Sequence, residues 1–236
     1  SYCWFILGNG RGKYLERTVA SWEANLFGEP DYKIIFDDSG DQQYREWLNE
    51  KFGDRFIIMP ISESNVGHSE AINFIFKTLK ELKVDYALEV EEDWMLNRPL
   101  RTAEIISHLE KNKHITQMRI PRTIWYEYNG HTDDIEFGSL LKQYHDIDGS
   151  KKKGKSYEFR TTRYFWSHNP SIFPVSICDV NYPHTGIGSE YDFGISLLEE
   201  NEEYKFGYWA NNLYDSYVTH IGYHDKYLKN GLPELR

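Results

Sequence analysis

Three consecutive acids, Glu91-Glu92-Asp93, close an apolar run in which Tyr86, Leu88 and Val90 alternate with Ala87 and Glu89. The alternation predicts a largely buried strand, with the acids at its carboxyl end. Carboxylates crowded together repel one another unless a cation sits among them. Hard oxygen ligands suit Mg2+ or Mn2+, ions that bind through one or two carboxylates plus phosphate oxygens. The chemistry on offer is a divalent metal holding a diphosphate, although an isolated acidic triplet also fits a solvated turn. In open α/β sheets the carboxyl ends of the strands face the ligand crevice. What matters next is whether other strands end in groups that a ligand can use.

Residues 2–7 form a short apolar run that stops at Gly8-Asn9-Gly10-Arg11-Gly12. This reads as a strand and a sharp loop whose glycines let a ligand approach the backbone. Leu15, Val19, Trp22 and Leu26 then recur at helical spacing. Residues 33–38 repeat the theme with Ile34, Ile35 and Phe36 before Asp37-Asp38-Ser39-Gly40-Asp41. Asp41 is placed to cap a helix carrying Tyr44, Trp47, Leu48 and Phe52 on one face. A third strand over 56–61 leads to Asn65-Val66-Gly67-His68 and a helix marked by Ala71, Ile72, Ile75, Phe76, Leu79 and Leu82. The acid-tipped strand is the fourth. Such strand–helix alternation predicts an α/β fold, a central, mostly parallel sheet with helices on both faces.

The later chain is less regular. Residues 100–109 read as a helix and 115–120 as a strand, after which Pro121 breaks the pattern. The polar stretch 126–157 reads as a long excursion. Its basic run, Lys151-Lys152-Lys153-Gly154-Lys155, reads as a solvated loop tip or as a contact for an anionic acceptor. Residues 174–180 suggest a short helix or turn. The segment Gly186-Ile187-Gly188-Ser189-Glu190-Tyr191-Asp192 is a glycine turn feeding an acidic helix start, and 204–209 and 217–221 read as strands, the second carrying His220.

With 236 residues, 40% of them hydrophobic and 16% aromatic, the chain has material for a substantial core. A formal charge of -10 argues against a broad nucleic-acid footprint. Cys3 and Cys178 form no framework and lack metal-ligand spacing, which suggests a reducing compartment. No apolar stretch reaches transmembrane length. A cytoplasmic location is the expectation; the chain starts at Ser1, which is also compatible with a trimmed leader or anchor.

The strand-end groups as a set resemble the GT-A glycosyltransferases, above all the family-two inverting enzymes that use nucleotide-sugars. The matching residues are Asn9-Gly10-Arg11 with the Tyr14–Ser21 stretch after it, Ile35-Phe36-Asp37-Asp38-Ser39-Gly40, Asn65-Val66-Gly67 with Ala71, and Glu91-Glu92-Asp93. They cover about residues 2–98. The resemblance implies a single Rossmann-like, three-layer α/β/α GT-A domain over 1–236, with a nucleotide-sugar-binding half (1–98) and an acceptor-binding half (99–236). It implies that Asn9, Gly10 and Arg11 line the nucleotide pocket and that Asp37 or Asp38 accepts hydrogen bonds from nucleobase and ribose. Asn65 and Gly67 would shape the donor sugar-diphosphate site. Glu91-Glu92-Asp93 takes the place of the family's Asp-x-Asp motif, with glutamate where aspartate is usual. Asp93 and Glu91 would bind Mn2+ or Mg2+, Glu92 would serve the donor site, and His220 resembles the late histidine that completes the metal shell. The glycine–acid segment resembles the one that carries the catalytic base, Glu190 first and Asp192 in reserve. Trp166, His168 and Asn169 resemble the segment leading to the acceptor face. The donor is then a nucleoside-diphosphate-sugar and the acceptor a glycan, a lipid-linked sugar, a protein or a modified nucleobase in DNA. Two alternatives from other classes are a nucleotidyltransferase and a non-catalytic nucleotide-sugar-binding module.

Overall fold

The computed structural model describes residues 1–122, 151–153, 156–159, 166–210 and 216–222. In chain order the elements are β1 (Tyr2–Gly8), α1 (Gly12–Asn25), β2 (Leu26–Phe27), β3 (Tyr32–Asp37), α2 (Gln42–Phe52), β4 (Ile57–Pro60), α3 (His68–Leu82) and β5 (Tyr86–Glu91). They continue with β6 (Trp94–Leu96), β7 (Leu100–Arg101), α4 (Thr102–Lys111), β8 (Ile115–Arg119), β9 (Lys151–Lys153), β10 (Ser156–Phe159), β11 (Ser171–Pro174), α5 (Ser189–Glu200), β12 (Lys205–Trp209) and β13 (Val218–His220). Short 3-10 turns cover Val175–Asp179 and Gly186–Gly188.

Among the described residues the main sheet has nine strands in the order β4-β3-β1-β5-β11-β8-β12-β10-β9. The portion β4-β3-β1-β5 is parallel throughout. β11 runs antiparallel between β5 and β8, and β10 antiparallel to β12 and β9. Strands buried on both faces should be apolar at every position. β1 obeys this: Tyr2, Trp4 and Ile6 enter one core with Leu15, Val19 and Trp22 of α1, Leu48 and Phe52 of α2, and Ile105 and Leu109 of α4. Cys3, Phe5 and Leu7 enter the other with Ala71, Ile72, Ile75, Phe76 and Leu79 of α3 and Phe193 and Leu197 of α5. The expected three-layer α/β/α fold with a mostly parallel sheet is what forms.

The chain leaves β1 outward through β3 to β4, then returns to place β5 on the other flank of β1. This reversal is a topological switch point, the place where open α/β sheets bind ligands outside the carboxyl ends of their strands. Register sets Gly8 beside Asp37 and Leu7 beside Glu91, so the three strands end level. Asp41 caps α2 as expected, accepting from Gln43 and Tyr44 N–H.

Two expectations change. The acid-tipped strand ends at Glu91, with Glu92 and Asp93 in a turn before β6. The run Lys151–Lys153 is not a loop tip in its backbone but the edge strand β9, paired with β10. Charged residues suit an edge because they discourage further strand pairing. The expected polar excursion otherwise falls largely on 123–150, outside the described residues.

Candidate active site

The acidic turn is held from behind by α1. Thr18 Oγ1, buried, donates to the Glu92 carbonyl at 2.8 Å, and Trp22 Nε1 donates to the Trp94 carbonyl at 2.7 Å. Ser21 Oγ accepts from the Leu96 N–H at 3.0 Å. On the other side β13 pairs antiparallel with β6, setting His220 opposite Trp94. The His220 ring stacks on Trp94 at 4.4 Å, and the Ile221 N–H donates to the Asp93 carbonyl at 2.8 Å.

This frame gathers four of the expected residues. Arg11 Nε donates to Glu92 Oε1 at 2.6 Å and Arg11 Nη1 to Asp93 Oδ2 at 2.7 Å. His220 Nε2 lies 3.1 Å from the same Asp93 Oδ2. Burial opposes charge on Asp93, but His220 and Arg11 outweigh it and hold the carboxyl below the ordinary range. Burial pushes Glu92 up, against the pull of Arg11. Gly222 closes over the group: a Cβ there would lie 2.0 Å from Asp93 Oδ2, so only glycine lets the backbone pass.

Glu91 is turned differently. Its Oε2 lies 3.3 Å from Trp94 Nε1, and the residue keeps some solvent exposure. Its enclosed position pushes the carboxyl up to about 8; His168 pulls the other way, while Asp93, Glu89 and Glu190 add to the rise. Glu91 thus lies within electrostatic reach of Asp93 on one side and of the Glu89–His168–Glu190 group on the other.

A second set assembles at β1, β3 and the loop before α3. Asn65 Nδ2 donates to Asn9 Oδ1 at 2.9 Å and to the Asp38 carbonyl at 2.7 Å, and the Val66 N–H donates to Asp38 Oδ1 at 2.9 Å. Gly67 N–H donates to Asn65 Oδ1 at 3.1 Å. Burial raises the Asp38 carboxyl, in part offset by the Val66 and Gly67 N–H groups. Gly10 sits nearby at φ +89. Both oxygens of Asp37 already serve the fold: Oδ1 accepts from Ser39 N–H at 2.9 Å, and Oδ2 meets Arg45 Nε at 3.2 Å.

The third set brings together His168 and Glu190, both expected near the acceptor side, with Glu89 and Tyr182, which were not expected. Glu89, mid-strand in β5 and 1% exposed, lies on the α3/α5 face of the sheet with Oε1 2.6 Å from His168 Nδ1. His168 Nε2 lies 3.0 Å from the Tyr182 hydroxyl, and the His168 N–H donates to Glu190 Oε1 at 2.6 Å. Burial disfavours a charged His168, but Glu89, Glu190 and Glu91 outweigh it and raise the imidazole to about 9. The signal available was Glu89 itself, a charge inside an otherwise apolar strand. Asp192 shares the first turn of α5 with Glu190, its carboxylate near Gly188. Trp166 packs into the aromatic core against Phe76, Phe173 and Phe193.

Among the described residues no group of three or more His, Cys, Asp or Glu side chains is arranged to hold a metal. Asp93 and His220 still fit a cation that takes its remaining donors from a bound diphosphate. Asp93 Oδ1 is buried with no hydrogen-bond partner among the described residues, and Oδ2 already faces His220 Nε2. Among the described residues no helix is long and apolar enough to cross a membrane.

No protein-family model matches the chain, and no curated protein sequence matches it. Solved structures do. S. aureus TarS 1-349 has a TM-score of 0.58 and 14% identity, over 97% of this chain and 62% of that one. Its complex with UDP has a TM-score of 0.59 and 14% identity, over 93% and 60%. Its complex with UDP-GlcNAc has a TM-score of 0.59 and 15% identity, over 93% and 58%. The chain therefore spans about three-fifths of the TarS 1-349 chains, and it has the GT-A fold.

Proposed function

We propose that the protein is a glycosyltransferase that moves a sugar from a nucleoside-diphosphate-sugar to an acceptor hydroxyl, with inversion at the anomeric carbon. The observation that carries this reading is the convergence of Arg11, Glu92, Asp93 and His220 at the switch-point crevice of a GT-A sheet. Its neighbour TarS has been solved in complex with UDP and UDP-GlcNAc, which supports a nucleotide-sugar donor. In this reading Asn9, Gly10 and Arg11 line the nucleotide pocket, and Asn65 and Gly67 shape the diphosphate side. Asp38 is our first choice for the nucleobase or ribose, because Asp37 is committed to Ser39 and Arg45.

Asp93 and His220 would hold Mn2+ or Mg2+, with Glu91 beside them. A divalent cation bound there offsets charge gained by the departing nucleoside diphosphate. Arg11 fixes the Glu92 and Asp93 carboxylates and brings a permanent positive charge to the same edge. Glu190 takes the proton of the attacking hydroxyl, with Asp192 second. The half of the chain after residue 98 binds the acceptor, a glycan, lipid-linked sugar, protein or modified nucleobase. Buried, unpaired Cys3 and Cys178 go with a reducing, cytoplasmic setting.

The test begins with thermal shift against nucleoside diphosphates, with and without Mn2+, followed by donor hydrolysis. Asp93→Ala is expected to abolish Mn2+-dependent stabilisation by the diphosphate. Glu190→Gln is expected to keep donor binding and lower turnover by about 10²–10⁴-fold. A wild-type protein that neither binds a nucleoside diphosphate nor consumes a nucleotide-sugar defeats the reading.

A further inference from the structure

A carboxylate in the middle of a buried strand is expensive unless it is paired. Glu89 occupies such a place, and its partner His168 comes from a different part of the chain. The segment around His168 has other anchors. Gln117 Nε2 donates to the Ser167 carbonyl at 2.6 Å, and the Ser167 N–H donates to Gln117 Oε1 at 3.2 Å. On the far side of the imidazole, Tyr182 is fixed to α3, its N–H donating to Asn73 Oδ1 at 2.9 Å and its carbonyl accepting from Asn73 Nδ2 at 2.8 Å. The His168 ring is therefore gripped at both nitrogens, by Glu89 of the sheet and by Tyr182, whose backbone is tied to α3. What the grip orients is the main-chain N–H of the same residue, which donates to Glu190 Oε1.

We propose that His168 is a positioning residue: its imidazole, seated on Glu89 and braced by Tyr182, fixes the backbone N–H that aims Glu190. The inference rests on Glu190 being the base of the transfer proposed above. Gln117 secures the neighbouring residue, but it makes no hydrogen bond to the His168 ring or to Glu190 in this arrangement. Glu190 itself lies in the first turn of α5, where a side chain has several open rotamers until something holds it. Loss of the His168 anchor should misplace the carboxylate while leaving the nucleotide groups at β1, β3 and β5 intact. A misplacement of about 1 Å in a catalytic group costs on the order of 10²-fold.

The experiment measures donor hydrolysis by full-length protein with whichever of a UDP-, GDP- and TDP-sugar panel the wild type consumes. Nucleoside diphosphate affinity is measured in parallel by calorimetry. For His168→Asn the expected result is a kcat about 30–100-fold lower, with diphosphate affinity within about 3-fold of wild type. The His168→Asn/Glu190→Gln double variant should be no slower than Glu190→Gln alone, because residues acting as one unit are not additive. Unchanged kcat in His168→Asn, or a double variant slowed by the product of the single effects, overturns the proposal. Should His168→Asn fail to fold, Glu89→Gln takes its place in the same cycle with the same two outcomes. A wild type that consumes no sugar nucleotide defeats the transferase reading itself, and the inference falls with it.

Discussion

Replacing Arg11 by methionine removes one charge and leaves the aliphatic stem nearly intact. In the folded protein that charge serves two carboxylates, Glu92 Oε1 at 2.6 Å and Asp93 Oδ2 at 2.7 Å, whose side chains are 1% and 4% exposed. Breaking a buried pair by removing one partner costs about 3–5 kcal/mol, because a buried charge is left behind. Arg11 is 45% exposed, so solvent already screens part of the attraction, and a loss of about 2–3 kcal/mol is the reasoned value. For a chain of this length each kcal/mol moves the melting temperature by roughly 2–4 °C, so Arg11→Met should melt about 4–12 °C lower. The loss should shrink towards acid pH, where Glu92, pushed up by burial and no longer held down by Arg11, takes up a proton, and should shrink in Mn2+ if Asp93 and His220 bind a cation. Scanning fluorimetry at pH 5 and pH 8, with and without Mn2+, reads all of this. A shift under about 1 °C at pH 8 would refute the reasoning, since the two acids would then be satisfied without Arg11.

The His168 pair gives stability a pH dependence of definite sign. Its folded value of about 9 is above the usual 6.5, so the contribution is full below pH 6.5 and is lost as pH rises through 9. Denaturant titrations between pH 6.5 and 9.5 should lose up to about 3 kcal/mol, and His168→Asn should flatten the slope. Asp38→Asn should weaken nucleoside diphosphate binding by roughly 1–3 kcal/mol if a donor is left unpaired, measured by calorimetry. Asp37→Asn should instead lower the melting temperature through Arg45, and silence in both variants would remove the pair from the site. Gly222→Ala should disturb Asp93 and Arg11 together, since its Cβ would meet Asp93 Oδ2 at 2.0 Å; an unchanged melting temperature and Mn2+ response would count against that contact.

The first hundred residues announce their arrangement because the parallel strands are built mainly of apolar residues and each helix shows one apolar stripe. Apolar β1 and patterned α3 needed no partner to be recognised. β11 did: Ser171–Pro174 is four residues long, and what makes it a strand is insertion between β5 and β8. Glu89 is hidden in the sequence for a related reason. Sequence alternation assigned it a face but could not supply His168, which lies 79 positions later. The Arg11–Glu92–Asp93–His220 group was half visible as separate strand-end motifs. What the residues could not announce was that Arg11 reaches the acids directly, because that depends on where the loop after β1 turns. The charge of Lys151–Lys153 reads as a loop, whereas a sheet margin tolerates the same charge.

The reversed strand β11 has a consequence for how the chain is made. Its four residues pair with Tyr86, Ala87, Leu88 and Glu89 on one side and with Met118 and Arg119 on the other. During synthesis β1, β3, β4 and β5 leave the ribosome first, and their parallel array ends at an apolar margin on β5. That margin stays open until Ser171–Pro174 follow, so the nascent chain carries an unpaired strand edge through the synthesis of the intervening residues. Open edges of this kind are sites of wrong pairing and aggregation, and long-range pairing closes slowly. A fragment ending at residue 122 should therefore be collected as aggregate, and supplying the later segment as a separate chain should be a route to recovering it.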